Sequence, residues 1–271
     1  LLSTVAPAVA KAAIESGVAK YPITDWDKYV DDLNHRLGLD NQLSRVIGSK
    51  ARKDPKRIVF ADAENIKILK VAQLVMEEGV AYPILLGKEH KIRKLADENG
   101  IDLEGMPIMN PADDHHEDAR KKFGDLFFEK RQRRGVNKYE SYKAMKDRNH
   151  FGCMLVDSGE ADGMISGLSR NYPDTIRPAL QIIGTEPGVK KIAGMYIMFT
   201  KRGPLFLADT TVNFNPTAEE LAEITLLVAK EVKLFNIKPR IAMLSYSNFG
   251  SSDSPEANLV CRASQIVKEK D

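Results

Sequence analysis

Short apolar runs alternate with segments of helical periodicity from Arg57 onward. KRIVFA and YPILLG are segments of strand length that contain continuous apolar runs. ENIKILKVAQLVMEEG and KEHKIRKLADENG, which follow them, have apolar residues at helical spacing and end in glycine. Strands that alternate with helices are typical of βαβ units. The pattern therefore predicts an α/β fold with a doubly wound, mostly parallel sheet in which KRIVFA and YPILLG are neighbours.

The alternation continues along the rest of the chain. PIMN, FGCMLV and ADGMISG are predicted as strand structure, and EDARKKFGDLFFEKRQRRG and YESYKAMKD as helices. Only Lys201-Arg202-Gly203 separates the runs KKIAGMYIMFT and GPLFLADT, which favours an antiparallel pair. TAEELAEITLLVAKEVKLF is a long helix, and RIAMLSY predicts a buried strand. A last helix begins at Pro255, behind the N-cap residue Ser254.

Residues 1–50 have a different, wholly helical pattern. A first helix ends at Gly17, DWDKYVDDLNHRLG is polar enough for a connector, and GSKARKDPKR predicts a linker. We therefore predict a helical connector over 1–50, one lobe over 51–150 and a second lobe over 151–271. The chain has no initiator Met and begins in helical pattern, so we expect that residue 1 is not the natural start.

Composition and charge exclude several classes of function. The formal net charge is only +2, which favours neither nucleic acid nor a membrane surface as a partner. No apolar run is long enough to span a bilayer, and Lys11 and Glu15 interrupt the N-terminal run that resembles a signal peptide. Cys153 and Cys261 show no pairing pattern and lie in apolar segments, which predicts buried thiols in the cytoplasm.

Three polar loops lead into predicted helix starts, and we expect all three to lie at the carboxyl ends of strands of one sheet, where α/β sheets bind ligands. The first runs from Gly167 to Asp174. The others contain the candidate ligand-binding residues Asp209, Asn213, Ser245, Ser247, Gly250, Ser251 and Ser252. Serine and glycine at a helix start offer hydroxyl and backbone N–H groups to an anion, most often a phosphate. The same residues also cap helices and shape turns, so both interpretations stay open.

Arg177 lies one turn inside the helix predicted from Pro173, where the helix dipole disfavours a cation. It either belongs to a solvated face or neighbours a bound anion. The run DDHHED at 113–118 contains metal-binding side chains, but its contiguous spacing predicts an acidic helix start and no metal site. No dinucleotide-binding or Walker fingerprint is present, and no catalytic residue is assigned.

Five segments resemble the phosphate acetyltransferase/butyryltransferase family, in that family's order. They are DPKRIVFADAENIKILKVAQLVMEEGVAYPILLG, EADGMISG, DTIRPALQIIGTEPG, LADTTVNFNPTAEELAEI and AMLSYSNFGSSDSPE. The N-terminal LLSTVAPAVAKAAIESGVAKYPI resembles the closing segment of a malic enzyme catalytic domain. The two together resemble bacterial hybrid NADP-dependent malic enzymes, which carry a transacetylase-like domain after the malic domain.

The resemblance implies a phosphotransacetylase-like fold and a small-molecule ligand, acetyl-CoA or phosphate. It also implies a homo-oligomer, no cofactor in this chain, and NADP and a divalent metal in an upstream malic domain. The family's anion-binding arginine falls on Arg177, and its basic element falls on Arg131 to Gly135. Its Asp and Asn-Pro segment falls on Asp209 to Pro216, and its serine-rich loop on Ser245 to Ser252.

Three departures bear on the predicted activity. Active transacetylases usually have His-Ser-Thr-Ala where this chain has Arg170-Asn171-Tyr172-Pro173. Their strand end Pro-Glu-Gly is here Ala61-Asp62-Ala63, and their late Ser-Arg-Gly element would lie beyond residue 271. We therefore expect a regulatory domain that binds acetyl-CoA and oligomerises. The alternatives are an active phosphate acetyltransferase and an assembly module with a vestigial cleft.

Overall fold

The structure is a computed structural model that describes residues 2–36, 42–200, 203–248 and 250–270. Its α-helices are α1 Leu2–Glu15, α2 Trp26–Arg36, α3 Gln42–Lys53, α4 Ile66–Glu77, α5 Glu89–Asn99, α6 Glu117–Arg131, α7 Lys138–Ala144, α8 Arg148–Asp157, α9 Tyr172–Ile182, α10 Ala218–Leu234 and α11 Pro255–Lys270. Its strands are β1 Lys56–Phe60, β2 Ala81–Leu86, β3 Ile108–Met109, β4 Gly163–Ile165, β5 Met195–Thr200 and β6 Gly203–Ala208.

Two compact units make up the chain. One is 48–190, and the other combines 1–47 with 191–271. The lobe boundary predicted at 150 lies inside the first unit. The reason is that β4 pairs with β1 of the same sheet, so residues 151–190 remain with the segment that precedes them.

The first unit is built on a four-stranded sheet with the order β3-β2-β1-β4. All three pairings are parallel, and Val59 of β1 lies opposite Ile84 of β2 and Met164 of β4. This confirms that RIVFA and PILLG are neighbouring parallel strands. The crossover helices have defined ends, since Asn65 caps the start of α4 and Gly100 ends α5 in a left-handed conformation.

Helices cover both faces of this sheet, as the doubly wound prediction requires. Phe60 and Leu85 point to a core that also contains Leu69 of α4 and Ile92 of α5. The residues next to them in the strands, Val59 of β1 and Leu86 of β2, point to a second core on the other face. Its members include Val59, Leu86, Phe123, Phe127, Phe151 and Met154. The two faces are buried in this way because the side chains of a strand alternate between them.

Gly152 allows α8 to approach the second core closely. A Cβ atom there would lie 2.5 Å from Met164 Sδ and 3.2 Å from Val59 Cγ1. We expect Gly152→Ala to lower the free energy of unfolding by about 1–3 kcal/mol, because overpacking outweighs the gain in helix propensity. Gly48→Ala in α3 is the control, since its Cβ would meet only Arg52 at 3.5 Å. Equal urea midpoints for both variants and the parent would contradict the close packing.

The second unit contains an antiparallel hairpin and two packed helices. β5 pairs with β6 from Met195↔Ala208 to Thr200↔Gly203, which confirms the predicted antiparallel pair. Lys201 and Arg202 lie outside the described residues. α10 begins with a capping box between Thr217 and Glu220, and α10 packs on α11 through a small alanine-rich core. The core residues are Ala222, Ala263 and Ile266.

Two strand predictions were wrong. FGCMLV forms α8, which Asp147 caps, and nearly all of its side chains are buried. A helix that is apolar on all sides cannot be distinguished from a buried strand by its pattern. RIAMLSY forms no strand within the described residues, and its Ile241, Leu244 and Tyr246 are exposed. A strand needs a neighbour for its backbone hydrogen bonds, and none pairs with this run in the described part of the chain.

Corrections also apply to the N-terminal segment and to the cysteines. Residues 48–53 of the predicted linker form the end of α3, since only its Pro55 is incompatible with a helix interior. α2 confirms the amphipathic connector helix as far as Arg36, while 37–41 lie outside the described residues. Cys153 is buried as predicted, and burial raises the pKa of its thiol to about 12. Cys261 is exposed on α11, so its predicted burial was wrong.

Candidate functional site

Asp62 joins the ends of two neighbouring parallel strands at the carboxyl edge of the sheet. It follows β1, and its Oδ2 accepts hydrogen bonds from the backbone N–H groups of Gly167 and Leu168, each at 3.0 Å. Its Oδ1 accepts a short hydrogen bond from the Ser169 hydroxyl. Asp62 is only 3% exposed, so this buried carboxylate fixes the start of the first candidate loop.

Opposing effects act on the pKa of the Asp62 carboxyl. Burial alone would raise this pKa, but the hydrogen bonds from Ser169, Gly167 and Leu168 lower it, and the positive charge of Arg148 lowers it further. The net pKa lies below its ordinary value. Asp62 is therefore a charged acceptor at neutral pH and is unsuited to general acid catalysis there.

Asp147 anchors the same loop from the start of α8. Its side chain caps the helix by accepting from the backbone N–H groups of Asn149 at 3.0 Å and His150 at 3.2 Å. It also pairs with the guanidinium of Arg170 and lies 3.1 Å from His150 Nδ1. Burial alone would raise the pKa of Asp147, but the bonds from His150 and Arg170 hold it far below its usual range.

Asp147→Asn tests this electrostatic contribution. Asn keeps the helix cap but removes the charge that faces Arg170. Because the folded pKa is depressed, the carboxylate stabilises the fold above its unfolded pKa of about 3.9, and this contribution is lost as the pH falls toward the folded pKa. We expect a lower urea midpoint for the variant at about pH 7 and a smaller difference at about pH 3. A difference in urea midpoint that does not depend on pH would indicate that Asp147 stabilises the fold only as a helix cap.

Glu64 and Arg148 are further charges at this edge. Glu64 accepts from the backbone N–H of Lys88 at 2.9 Å and pairs with Lys91 at 3.4 Å. Arg148 Nη1 lies 3.8 Å from Glu64 Oε1, beyond hydrogen-bond distance. Burial would raise the pKa of Glu64, but the Lys88 hydrogen bond and the charges of Arg148 and Lys91 lower it. The edge thus combines three ionised carboxylates with basic side chains.

Arg177 lies on α9, as the sequence predicted, with an exposed side chain. Its Nη1 is 3.5 Å from Asp174 Oδ1, one turn earlier in the same helix. Three of the backbone donors expected to bind an anion are already used. Gly167 and Leu168 donate to Asp62, and Asp174 N donates to the N-cap side chain of Asn171. These three N–H groups are therefore not free to bind an anion beside Arg177.

Arg131 lies at the end of α6, and the described residues offer no hydrogen-bond partner to its buried Nε. Gly135 follows in a left-handed conformation, with a φ of 89°, and closes the short turn after α6. Arg131 and Arg177 both belong to the unit 48–190. The other candidate residues belong to the second unit.

The second loop follows β6 of the hairpin and contains Asp209 and Asn213. Asp209 has a φ of 57°, and its buried Oδ1 has no hydrogen-bond partner among the described residues. Asn213 Nδ2 donates to the carbonyl of Ile192 at 3.0 Å, which fixes the loop to the segment before β5. The strand before this loop, β6, belongs to a separate two-stranded sheet and is not a strand of the parallel sheet.

The third loop follows no strand in the described residues, and several of its described polar groups bond to one another. Ser247 N donates to Ser245 Oγ at 3.1 Å, and Ser252 N donates to Ser247 Oγ at 3.2 Å. Ser251 Oγ accepts from Asn248 N at 3.0 Å, and Gly250 has a φ of 82°. The structure therefore brings Ser245, Ser247, Gly250, Ser251 and Ser252 together as a turn before α11. The expectation that all three loops lie on one sheet was wrong.

Metal-binding groups and membrane-spanning helices are absent from the residues that the structure describes. They contain no group of three or more metal-ligating side chains, and DDHHED leads into the acidic first turn of α6 as predicted. No described helix is long and apolar enough to cross a membrane. A polar hollow lies beside the end of α5, away from Asp62, and is lined in part by Arg93, Asp97, Asp102 and Glu104.

Comparison with known proteins assigns the family. The sequence profile described as phosphate acetyl/butaryl transferase matches residues 42–271. The chain belongs to this family. Within it, the phosphate acetyltransferase of Bacillus subtilis is 39% identical over 220 residues, which cover 81% of this chain and 67% of that protein. A phosphotransacetylase structure from Streptococcus pyogenes superposes with a TM-score of 0.76 at 32% identity, and covers 86% of this chain and 70% of that one.

Malic enzymes also match this member of the phosphate acetyl/butaryl transferase family. The NADP-dependent malic enzyme of Escherichia coli is 37% identical over 271 residues, which are all of this chain but 36% of that protein. The NAD-dependent malic enzyme of Rhizobium meliloti is 36% identical over 274 residues, which cover 99% of this chain and 35% of that protein. The chain thus spans about a third of the length of these relatives.

Sequence reasoning missed most of the charged network at the sheet edge. It noted Asp62 only as a departure from the family pattern, and it did not select Glu64, Asp147 or Arg148. The one available signal was an aspartate directly after a buried strand, where ligand-binding and loop-anchoring side chains collect. The partners of Asp62 lie at least 105 positions away, so no local pattern reveals them.

Proposed function

We propose that this chain is the transacetylase-like domain of a multidomain malic enzyme. It binds acetyl-CoA as a regulator and mediates homo-oligomerisation, while a preceding domain decarboxylates malate to pyruvate with NADP and a divalent metal. The observation that carries the proposal is the alignment with malic enzymes over the whole chain. Residues 1–41 lie outside the transferase profile but inside that alignment.

The choice of nicotinamide nucleotide belongs to the proposal. Identities of 37% to an NADP-dependent enzyme and 36% to an NAD-dependent enzyme do not separate the two nucleotides. Since NADP-dependent relatives also occur in other bacteria at 35% and 39% identity, we retain NADP. We place the protein in the cytoplasm because Cys153 and Cys261 are free thiols.

The charges of the first unit support an anionic ligand. Arg177 projects a largely exposed guanidinium whose intramolecular ion pair is long, so most of its donors are available. Arg131 has an unsatisfied donor at the end of α6. CoA carries phosphates and its acetyl thioester is neutral, so arginine recognition of the phosphate groups suits this ligand.

Exposed apolar side chains of the second unit support oligomerisation. The hairpin exposes Tyr196, Met198, Phe199 and Leu205. Large exposed apolar patches in a protein usually mark surfaces that another chain or segment covers. Light scattering at several concentrations tests this part of the proposal, and a strictly monomeric protein would contradict it.

The alternative function is an active phosphate acetyltransferase that moves acetyl between CoA and phosphate. Its support is the 39% identity to the Bacillus subtilis enzyme and the shared fold. Calorimetric titration of acetyl-CoA into the chain, followed by analysis of the solution for acetyl phosphate in the presence of phosphate, separates the two. A regulator binds acetyl-CoA and leaves it intact. An enzyme releases CoA and acetyl phosphate, and a chain that gives no binding heat supports neither function.

A further inference from the structure

Two aspartates bridge β1 and β4, one at each end of these two neighbouring strands. Asp162 precedes β4 and accepts from Arg57 N at 2.8 Å, Arg57 Nε at 3.1 Å and Arg57 Nη2 at 3.0 Å. Asp62 follows β1 and also accepts three hydrogen bonds, but all of them come from the loop after β4. The two carboxylates thus join the same strands, and only Asp62 does so at the candidate site.

The loop that Asp62 binds leads directly to Arg177. Gly167 has a φ of 115°, a conformation that favours glycine, and so turns the chain sharply after β4. Four residues later, Asn171 caps α9, the helix that carries Arg177. The position of this guanidinium therefore depends on where Gly167, Leu168 and Ser169 are held.

Other anchors hold the two ends of this loop, but they come from α8. Ser166 Oγ donates to Asn149 Oδ1 at 2.8 Å, and Arg170 pairs with Asp147. Asp62 binds the three residues between these anchors and ties them to β1. With both oxygens occupied and 3% exposure, Asp62 does not contact a ligand itself.

We propose that Asp62 is a positioning residue for the anion site at Arg177, an inference that rests on the proposed acetyl-CoA ligand. Its carboxylate holds Gly167, Leu168 and Ser169 in the ligand-free protein. The start of α9 is thereby ordered before the ligand arrives, so binding does not have to order it.

Asp62→Ala is the disruptive variant. It leaves the Gly167 and Leu168 N–H groups without their acceptor, so we expect acetyl-CoA to bind roughly tenfold more weakly. We also expect faster amide hydrogen exchange over residues 166–172. Asp62→Asn should restore most of the affinity, because its Oδ1 can accept from both N–H groups while its amide donates to the Ser169 hydroxyl.

Asp162→Ala is the matched control, since it removes three hydrogen bonds between the same strands at the other edge. It should lower stability but change acetyl-CoA affinity by less than about twofold. Equal weakening by Asp62→Ala and Asp162→Ala would overturn the proposal, because the effect would then be general destabilisation. If Asp62→Ala does not fold, Ser169→Ala removes one bond, and unchanged affinity and exchange in that variant would overturn the proposal.

The experiment also separates this proposal from the proposed function. If the parent chain binds neither acetyl-CoA nor inorganic phosphate, the proposed ligand is wrong. Amide exchange then decides the positioning claim. Acceleration confined to 166–172 in Asp62→Ala would support the positioning of this loop, and unchanged exchange would refute it.

Discussion

Arg177→Ala is expected to weaken acetyl-CoA binding by about one to two decades. A charge-assisted hydrogen bond of a guanidinium to a phosphate contributes roughly 1.5–3 kcal/mol. The Arg177 side chain is 61% exposed and its ion pair with Asp174 is long, at 3.5 Å, so its removal should affect folding little. The change in affinity can therefore be read as a loss of ligand contact, and titration calorimetry measures it.

Two further variants complete this test. Arg177→Lys should recover only part of the affinity, because an ammonium cannot offer the bidentate geometry of a guanidinium. Arg93→Ala is the matched control, since Arg93 is also exposed and also pairs within its own helix, with Glu89 at 2.7 Å. Unchanged acetyl-CoA affinity in Arg177→Ala would assign Arg177 to a solvated helix face.

The 271-residue chain assayed alone is expected to catalyse neither malate decarboxylation nor acetyl phosphate formation at an enzymatic rate. It spans 36% of the length of the Escherichia coli malic enzyme, and the malate site is proposed to lie in the preceding domain. Arg170 stands where active transacetylases usually have the histidine of His-Ser-Thr-Ala, and its guanidinium is paired with Asp147. Two measurements test this prediction. One is the absorbance of the reduced nicotinamide nucleotide formed in the presence of malate, and the other is the production of acetyl phosphate from acetyl-CoA and phosphate.

The Bacillus subtilis phosphate acetyltransferase provides the positive control for the second assay. Parallel preparations with Asp147→Asn show whether release of Arg170 changes the result. Turnover of either substrate by the unmodified chain, above the rate of a heat-denatured sample, would refute the prediction. Acetyl phosphate formation in particular would establish the alternative function.

The parallel sheet could be predicted because its strands and helices have different periods. β1 and β2 are short runs that are buried on both faces, and α4 and α5 have apolar residues at helical spacing. The same reasoning failed for α8, where Phe151 to Leu155 are all buried and no polar face marks the helical period. It also failed for 240–246, because a strand depends on a partner that is not specified by its own sequence.

Only part of the candidate site could be predicted. The helix start before Arg177 has a local signature, with Asn171 as N-cap and Pro173 in the first turn. No local signature shows that the N–H groups of the loop are already hydrogen-bonded. Their acceptor is Asp62, whose carboxylate is brought to Gly167 by the pairing of β1 with β4. Sequence reasoning therefore located the loop but assigned its bound N–H groups to a ligand.

The central claim is that this domain controls a malate-decarboxylating protein through acetyl-CoA. The most direct test is the steady-state rate of malate decarboxylation by the full-length protein over a range of acetyl-CoA concentrations. We predict a saturable change in rate that Arg177→Ala shifts to concentrations about 10 to 100 times higher, with little change in the rate without acetyl-CoA. A rate that stays constant at saturating acetyl-CoA, in a protein that decarboxylates malate, would contradict the account.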